Sequence, residues 1–275
     1  MAVKVKFWGV RGSIACPSPN HVIYGGNTSC VEVSCGDDRL IFDAGTGIRT
    51  LGQDYLKDVT RPGTLLLSHT HWDHINGFPF FVPFYVPTAR FRVIAGHLAD
   101  AGGIQAVLAH QMHDPTFPIP LTALRAAMSY EDFRAGETLT DLHPGLVVKT
   151  TGLNHPNRAT GYRVEWGGKS VCYVTDTEHV PGAPDQNVLA LIEGADLVIY
   201  DATYTDEQFP SRVGWGHSTW QEGVRLCQAA GAARLAIFHH NPDHTDPQMA
   251  AIEAEAAAVW GGTFVARDDM TVVVD

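Results

Sequence analysis

The hydrophobic positions of this chain gather in short runs rich in β-branched and aromatic residues, most of them closed by a turn former or a polar residue. Such runs occur at Val3–Trp8, Cys30–Ser34, Arg39–Phe42, Leu65–Ser68, Arg90–Ala95, Val147–Thr151, Gly161–Glu165, Ser170–Thr175, Leu197–Tyr200, Leu235–Phe238, Thr263–Ala266 and Met270–Val274, and they predict strands. Helices are expected near Ile48–Lys57, Leu98–Ala109, Thr219–Ala230 and Gln248–Trp260, the last with Asp246 and Pro247 as start signals and Gly261 as a stop. The stretch 78–137 is broken by prolines. It reads as a lid that meets a nucleobase through Phe80, Phe81 or Tyr85, as an apolar dimer surface, or as core packing. No repeat or low-complexity linker divides the 275 residues, so one domain over 1–275 is expected, with a proline- and aromatic-rich insertion at about 78–137.

Chemistry is concentrated where these runs end. His69-Thr-His-Trp-Asp-His74 follows the strand-like Gly63–Ser68 and places four potential metal ligands in one turn. Imidazole binds divalent zinc at about 2.0–2.1 Å, and Asp73 and His74, further along the turn, can face a second ion. Two ions about 3.5–4 Å apart can clamp a displacement at phosphorus or carbon. More ligands are needed, and His155, Asp176 and His239 each follow a strand-like run. A carboxylate such as Asp176 can bridge two cations; an imidazole cannot.

The pattern His-x-His-x-Asp-His, with the later His155, Asp176 and His239, resembles the metallo-β-lactamase fold. That resemblance implies an α/β (α+β) four-layer αββα sandwich, with His69, His71 and His155 on one ion, Asp73, His74 and His239 on the other, and Asp176 between them. His239 is preferred over His240 and His244 because it directly follows Leu235–Phe238. Asp43, in Leu40-Ile-Phe-Asp-Ala-Gly-Thr-Gly47, matches the early Asp of the fold, whose implied task is to hold the ligand turn by hydrogen bonds. His155-Pro-Asn-Arg-Ala-Thr-Gly-Tyr-Arg163, Tyr173-Val-Thr-Asp-Thr177, Asp201-Ala-Thr-Tyr204 and Gly216-His-Ser-Thr219 are similar to motifs of the ribonuclease Z and cyclic-phosphodiesterase branch, as are Phe7–Ser13 and Gly25–Ser29.

His217 also has a physical reading of its own. Ser218 followed by Gln221 predicts a capping box at a helix start, which would place His217 beside an anion-favouring helix end. The resemblance implies that His217 assists the leaving group, paired with a carboxylate that is normally Glu where this chain has Asp201. Asp73, His217 and Asp201 are therefore the expected catalytic residues. The implied reaction is attack of a hydroxide, shared by two ions, on phosphorus. Histidine-rich ligation suits zinc, and the carboxylates also suit manganese or iron.

Composition narrows the substrate. Thirty acidic residues against 19 Lys and Arg give a net charge of −11, with no basic stretch or tail. Affinity for long nucleic acids rests mainly on Lys and Arg, and nothing in the chain has the length or composition of the protruding arm of ribonuclease Z enzymes. A small phosphodiester, above all a cyclic nucleotide, is the expected substrate, and extended nucleic acid is not an expected partner, although Arg11, Arg49, Arg158 and Arg163 could gather on folding. The alternatives are an RNA-processing endonuclease of ribonuclease Z type, a thioester or lactone hydrolase of the same fold, and a metal-dependent nucleotide-binding sensor without turnover. The chain shows no leader-like or bilayer-spanning stretch, so a cytoplasmic protein with free thiols at its five cysteines is expected, and a homodimer is implied by resemblance alone.

Overall fold

Two seven-stranded sheets stack face to face in a computed structural model that describes residues 2–275. The first runs in the spatial order Thr271–Val274 (β14), Val3–Gly9 (β1), Cys30–Cys35 (β2), Asp38–Phe42 (β3), Gly63–Leu67 (β4), Arg90–Ala95 (β5) and Ala127–Asp132 (β6). The second runs Thr263–Val265 (β13), Leu235–Phe238 (β12), Leu197–Asp201 (β11), Lys169–Val174 (β10), Ala159–Trp166 (β9), Val147–Leu153 (β8) and Thr138–Leu139 (β7). Each sheet contains a parallel block, β3 to β6 in one and β10 to β13 in the other. Parallel strands covered on both faces read as unbroken apolar runs. Leu235–Phe238 and Leu197–Asp201 do so, and every residue in both is buried.

Side chains facing inward from both sheets, among them Val5, Phe7, Val33, Phe42, Tyr173, Ile199 and Phe238, form the central core. The helices Ile48–Tyr55 (α1) and Ile104–Gln111 (α3) cover the outer face of the first sheet with Leu51, Tyr55 and Leu108. Gln186–Ile192 (α4), Trp220–Ala229 (α5) and Asp246–Val259 (α6) cover the second with Val188, Val224 and Ile252. The result is the αββα sandwich. At about 1.5–3 kcal/mol for each large apolar side chain buried, these layers drive the fold. Among the described residues no helix is long and apolar enough to cross a membrane.

Several local expectations change. The helix expected from Leu98 begins at Ile104, because Gly102 and Gly103 take positive φ and the Asp132 carboxylate accepts the Ile104 N–H at 3.0 Å. Strands β6 and β7 and the short helices α4 and Trp72–Ile75 (α2) lie outside the expected set. β6 is half exposed and carries polar residues, so it lacks an apolar run; α4 is only seven residues long. The first residue of α5 is Trp220, capped by Thr219 and not Ser218, and Gln221 accepts from the Asp206 N–H instead of closing a capping box. Thr245 with Gln248 caps α6, while Asp246 uses its carboxylate to hold the N–H groups of Val22, Ile23 and Tyr24. In the proline-broken stretch Phe81 and Phe84 are core residues, whereas Phe80 is exposed against the edge of Phe117.

Candidate metal centre

The site forms where the carboxyl ends of both parallel blocks meet, the place where open α/β sheets present ligand-binding loops. Asp43 follows β3, His69 and the α2 turn follow β4, Asp176 follows β10, Asp201 closes β11 and His239 follows β12. Asp43, Asp176 and His239 take φ of 60°, 53° and 59°. Left-handed backbone is uncommon for residues other than glycine and clusters at functional sites. Here it ends the strand and turns a side chain back across the sheet ends.

The seven residues expected as ligands converge. His69, His71 and His155 form one group, and Asp73, His74 and His239 another. Asp176 faces both: its Oδ2 lies 3.6 Å from Nε2 of His69 and of His155, while its Oδ1 lies 3.2 Å from Nε2 of His74 and 3.3 Å from Nε2 of His239. Asp73 Oδ2 is 3.2 Å from His74 Nε2 and 3.3 Å from His239 Nε2. Donors held at about 2.1 Å from one tetrahedral ion stand roughly 3.4 Å from each other, so this spacing suits coordination. The buried Nε2 atoms of His69 and His74 have no hydrogen-bond partner, which an ion would remedy. Asp43, Asp73, Asp176 and Asp201 are all buried, and two divalent ions would carry as much positive charge as these four carboxylates carry negative.

A second ring of contacts aims the imidazoles. The Nδ1 atoms of His69, His74, His155 and His239 meet Ser68 Oγ (3.1 Å), Asp43 Oδ2 (2.8 Å), the Gly216 carbonyl (2.7 Å) and Thr203 Oγ1 (3.0 Å). Each ring is left with Nε2 facing inward. His71 is reversed: its Nδ1 lies 3.1 Å from His155 Nε2, and its Nε2 is near Asn157. Asp43 also accepts from the Ser68 N–H, the Ser68 hydroxyl and the Tyr173 hydroxyl, which ties the turn to both sheets. Burial lowers the pKa of His69, His155 and His71, favouring the neutral imidazole that a metal requires. Burial acts against the charge on Asp176, but His239, His74 and His69 outweigh it and hold the carboxyl well below its usual range.

His217 lies against this cluster, stacked on the His239 ring at 4.9 Å with Nδ1 3.0 Å from Asp201 Oδ2. The shorter Asp201 therefore reaches the imidazole directly. Its Oδ2 also accepts the Thr177 N–H, and its Oδ1 accepts the N–H and hydroxyl of Thr203. Burial would lower the His217 pKa, yet Asp201, with Asp176 and Asp73 beyond it, raises it to about 9.

Three contributors, Ser13, Gly12 and Gly216, carried no individual role in the sequence, and a fourth, Ser218, was expected to cap α5. The Ser13 N–H donates to Asp73 Oδ2 at 2.7 Å. A Cβ on Gly12 would sit 2.4 Å from the His239 ring, and one on Gly216 would sit 2.4 Å from His155. Ser218 accepts no helix N–H; its hydroxyl meets His179 Nδ1 and the Tyr200 hydroxyl. The advance signals were the Gly-Val-Arg-Gly-Ser string, whose contacts lie 60 residues and more away, and the Gly216-His-Ser-Thr219 motif. His240 is buried with Nε2 on the Ala266 carbonyl, and His244 meets Gln208. Arg11 is wholly internal, bonded to the carbonyls of Gly25, Asn241 and His244.

A double-sheet sandwich with this His and Asp cluster at its strand ends defines a metal-dependent hydrolase. The chain belongs to the beta-lactamase superfamily domain family, whose model matches residues 38–240. It is 25% identical to ribonuclease Z of Haloarcula marismortui over 320 aligned positions, spanning 98% of this chain and 96% of that protein. Its fold is similar to that of the metallo-beta-lactamase fold protein YhfI from Bacillus subtilis (TM-score 0.75, 20% identity, 99% of both chains). The short form of human tRNase Z is also similar (TM-score 0.71, 21% identity, 99% of both chains).

Proposed function

We propose that the protein is a binuclear metal phosphodiesterase. His69, His71 and His155 would hold one divalent ion and Asp73, His74 and His239 the other, with Asp176 facing both groups. Zinc suits these donors, with manganese or iron also compatible. When bound, such ions supply Lewis acidity toward phosphoryl oxygens and activate water at neutral pH. The chain itself does the rest. Asp73 has its Oδ2 engaged by Ser13, His74 and His239, which leaves Oδ1 to orient the attacking water. His217, held through Nδ1 by Asp201, presents Nε2 as the proton donor to the departing oxygen. That pair, with His217 on the wall of the cavity that Asp73 and Asp176 also line and Asp201 buried behind it, is the observation that carries the reading. An alkoxide leaving from phosphorus gains from a placed acid by typically 10²–10⁴-fold.

Relatives that align over nearly the whole chain are named ribonuclease Z. This favours an RNA phosphodiester as substrate over a cyclic nucleotide, and it weighs against the expectation that extended nucleic acid is not a partner. A small diester keeps one specific support. Arg11 is internal and Arg163 is spent on Glu165 and the carbonyls of Leu191 and Glu193, so two of the four arginines that could have formed a phosphate-binding patch are committed within the fold.

The test is metal content together with hydrolysis of bis(p-nitrophenyl) phosphate by wild type and Asp73→Ala, followed by precursor transfer RNA and 2′,3′- and 3′,5′-cyclic nucleotides. Turnover that needs about two ions per chain and is lost in the variant supports the reading. RNA cleavage that falls steeply with added salt selects the ribonuclease; salt-insensitive turnover of cyclic nucleotides selects the small substrate. No diester turnover at full metal occupancy rejects both.

A further inference from the structure

The indole of Trp72 is 84% exposed, although the residue sits between two expected metal ligands, His71 and Asp73, in the middle of the site turn. Tryptophan is among the side chains with most to gain from burial, and Trp8 and Trp220 of this chain are buried. The exposure of Trp72 does not come from a loose loop. It opens α2, with the His74 N–H on the His71 carbonyl at 3.0 Å and the Asn76 N–H on the Trp72 carbonyl at 2.7 Å. The inward positions of that turn are filled by Asp73, His74 and Ile75, all buried. Trp72 is left on the rim, where it lines a cavity of about 470 Å³ with Ser13, Thr70, His71, Asp73, Asp176 and His217.

That lining contains no Lys or Arg, in a chain of net charge −11. Apart from His217, which faces the departing oxygen, the wall has no cationic side chain to grip a nucleotide. A nucleotide could be held by a neutral contact, because every base offers a π face to an aromatic ring whatever its sequence. The cavity volume falls within the usual range for small-molecule sites.

We propose that Trp72 is the specificity-determining residue of the site: its indole stacks on the base of the nucleotide whose phosphate reacts. This rests on the phosphodiesterase reading and extends it to a substrate class, namely diesters that bear an unpaired nucleobase next to the scissile phosphate. RNA ends and cyclic nucleotides both belong to that class; simple alkyl phosphodiesters do not.

Equilibrium binding separates this inference from catalysis. Adenosine 5′-monophosphate and methyl phosphate are titrated into metal-loaded wild type, Trp72→Ala and Trp72→Phe, and the ratio of their affinities is read for each. Wild type is expected to prefer the nucleotide by about ten- to a hundredfold, Trp72→Ala to lose most of that margin and Trp72→Phe to keep most of it. In parallel, Trp72→Ala should raise KM for a nucleoside 5′-(p-nitrophenyl phosphate) about ten- to a hundredfold more than KM for ethyl p-nitrophenyl phosphate. An affinity ratio near one in wild type, or a ratio unaltered in Trp72→Ala, overturns the inference even if diesters are turned over. Absence of any diester turnover, with the ratio behaving as expected, overturns the phosphodiesterase reading instead. Because Trp72 is exposed, the variants are expected to fold, and an unchanged thermal midpoint checks that they do.

Discussion

Asp43 shows how much one buried side chain can organise. Its carboxylate joins His74, Ser68 and Tyr173, and so spans 130 residues of sequence and both sheets. Replacing it with Asn keeps the shape but puts an NH₂ where donors now converge. Asp43→Asn is expected to weaken metal affinity by roughly ten- to a hundredfold, measured by competition with a chromophoric chelator; unchanged affinity would show that His74 needs no such partner. For His217 the leaving group is the probe. Loss of the imidazole in His217→Ala should slow cleavage of an alkyl ester bond by about 10²–10⁴ and release of p-nitrophenolate, a weak base, far less. The pH profile should agree in sign. An acid must be protonated, so the rate on poor leaving groups falls as pH rises through the His217 pKa, which is about 9 without ions and is lowered by cations nearby. An alkaline limb at or below pH 9 is therefore expected in wild type and none in the variant.

At the scale of elements, strand ends and helix starts carry the site. A strand that stops at Phe42 or Phe238 and is followed by a left-handed Asp43 or His239 sends the next side chain across the sheet ends. The apolar runs made those strands legible, and all twelve expected strands are present with ends shifted by a few residues at most. Caps were read less well. Ser218, Thr219 and Gln221 are all competent capping types, and the chain uses Thr219 because Ser218 is drawn to His179 and Tyr200. Thr219→Ala should then cost about 1 kcal/mol in urea unfolding, from loss of the bond to the Glu222 N–H. Ser218→Ala, with no helix N–H to lose, would act instead through its hydrogen bonds to His179 and Tyr200. A Thr219→Ala variant as stable as wild type would place the cap elsewhere.

The whole molecule keeps several buried histidines neutral, and this links its stability to pH. His240 is fully buried, and desolvation, with Arg11 adding, lowers its pKa to about 3; His97 is lowered to about 4 by burial, with His71 adding. Both values lie below the unfolded value near 6.5, so between those limits the unfolded chain binds more protons and stability falls as pH falls. From pH 7 to pH 5 each such residue should cost about 2 kcal/mol. Urea titrations of chelator-treated protein should show this slope, and His240→Gln should flatten it. A slope unaffected by that substitution would mean that His240 is already protonated in the fold or is not buried.

The αββα class came with the family resemblance that the motifs carry; by itself the sequence determined the turn at 69–74 and the strand-end positions of His155, Asp176 and His239. These features rest on local spacing and on runs of apolar residues, which survive in one dimension. Only the tertiary structure decided which oxygen of Asp176 faces which imidazole group, that Ser13 reaches Asp73 across 60 residues, that Arg11 and Arg163 are committed internally, and that Trp72 stands exposed beside the metal turn. The physical reason is the same for each. Exposure, and a hydrogen bond between distant segments, are set by what the remaining layers cover, and no local pattern records that.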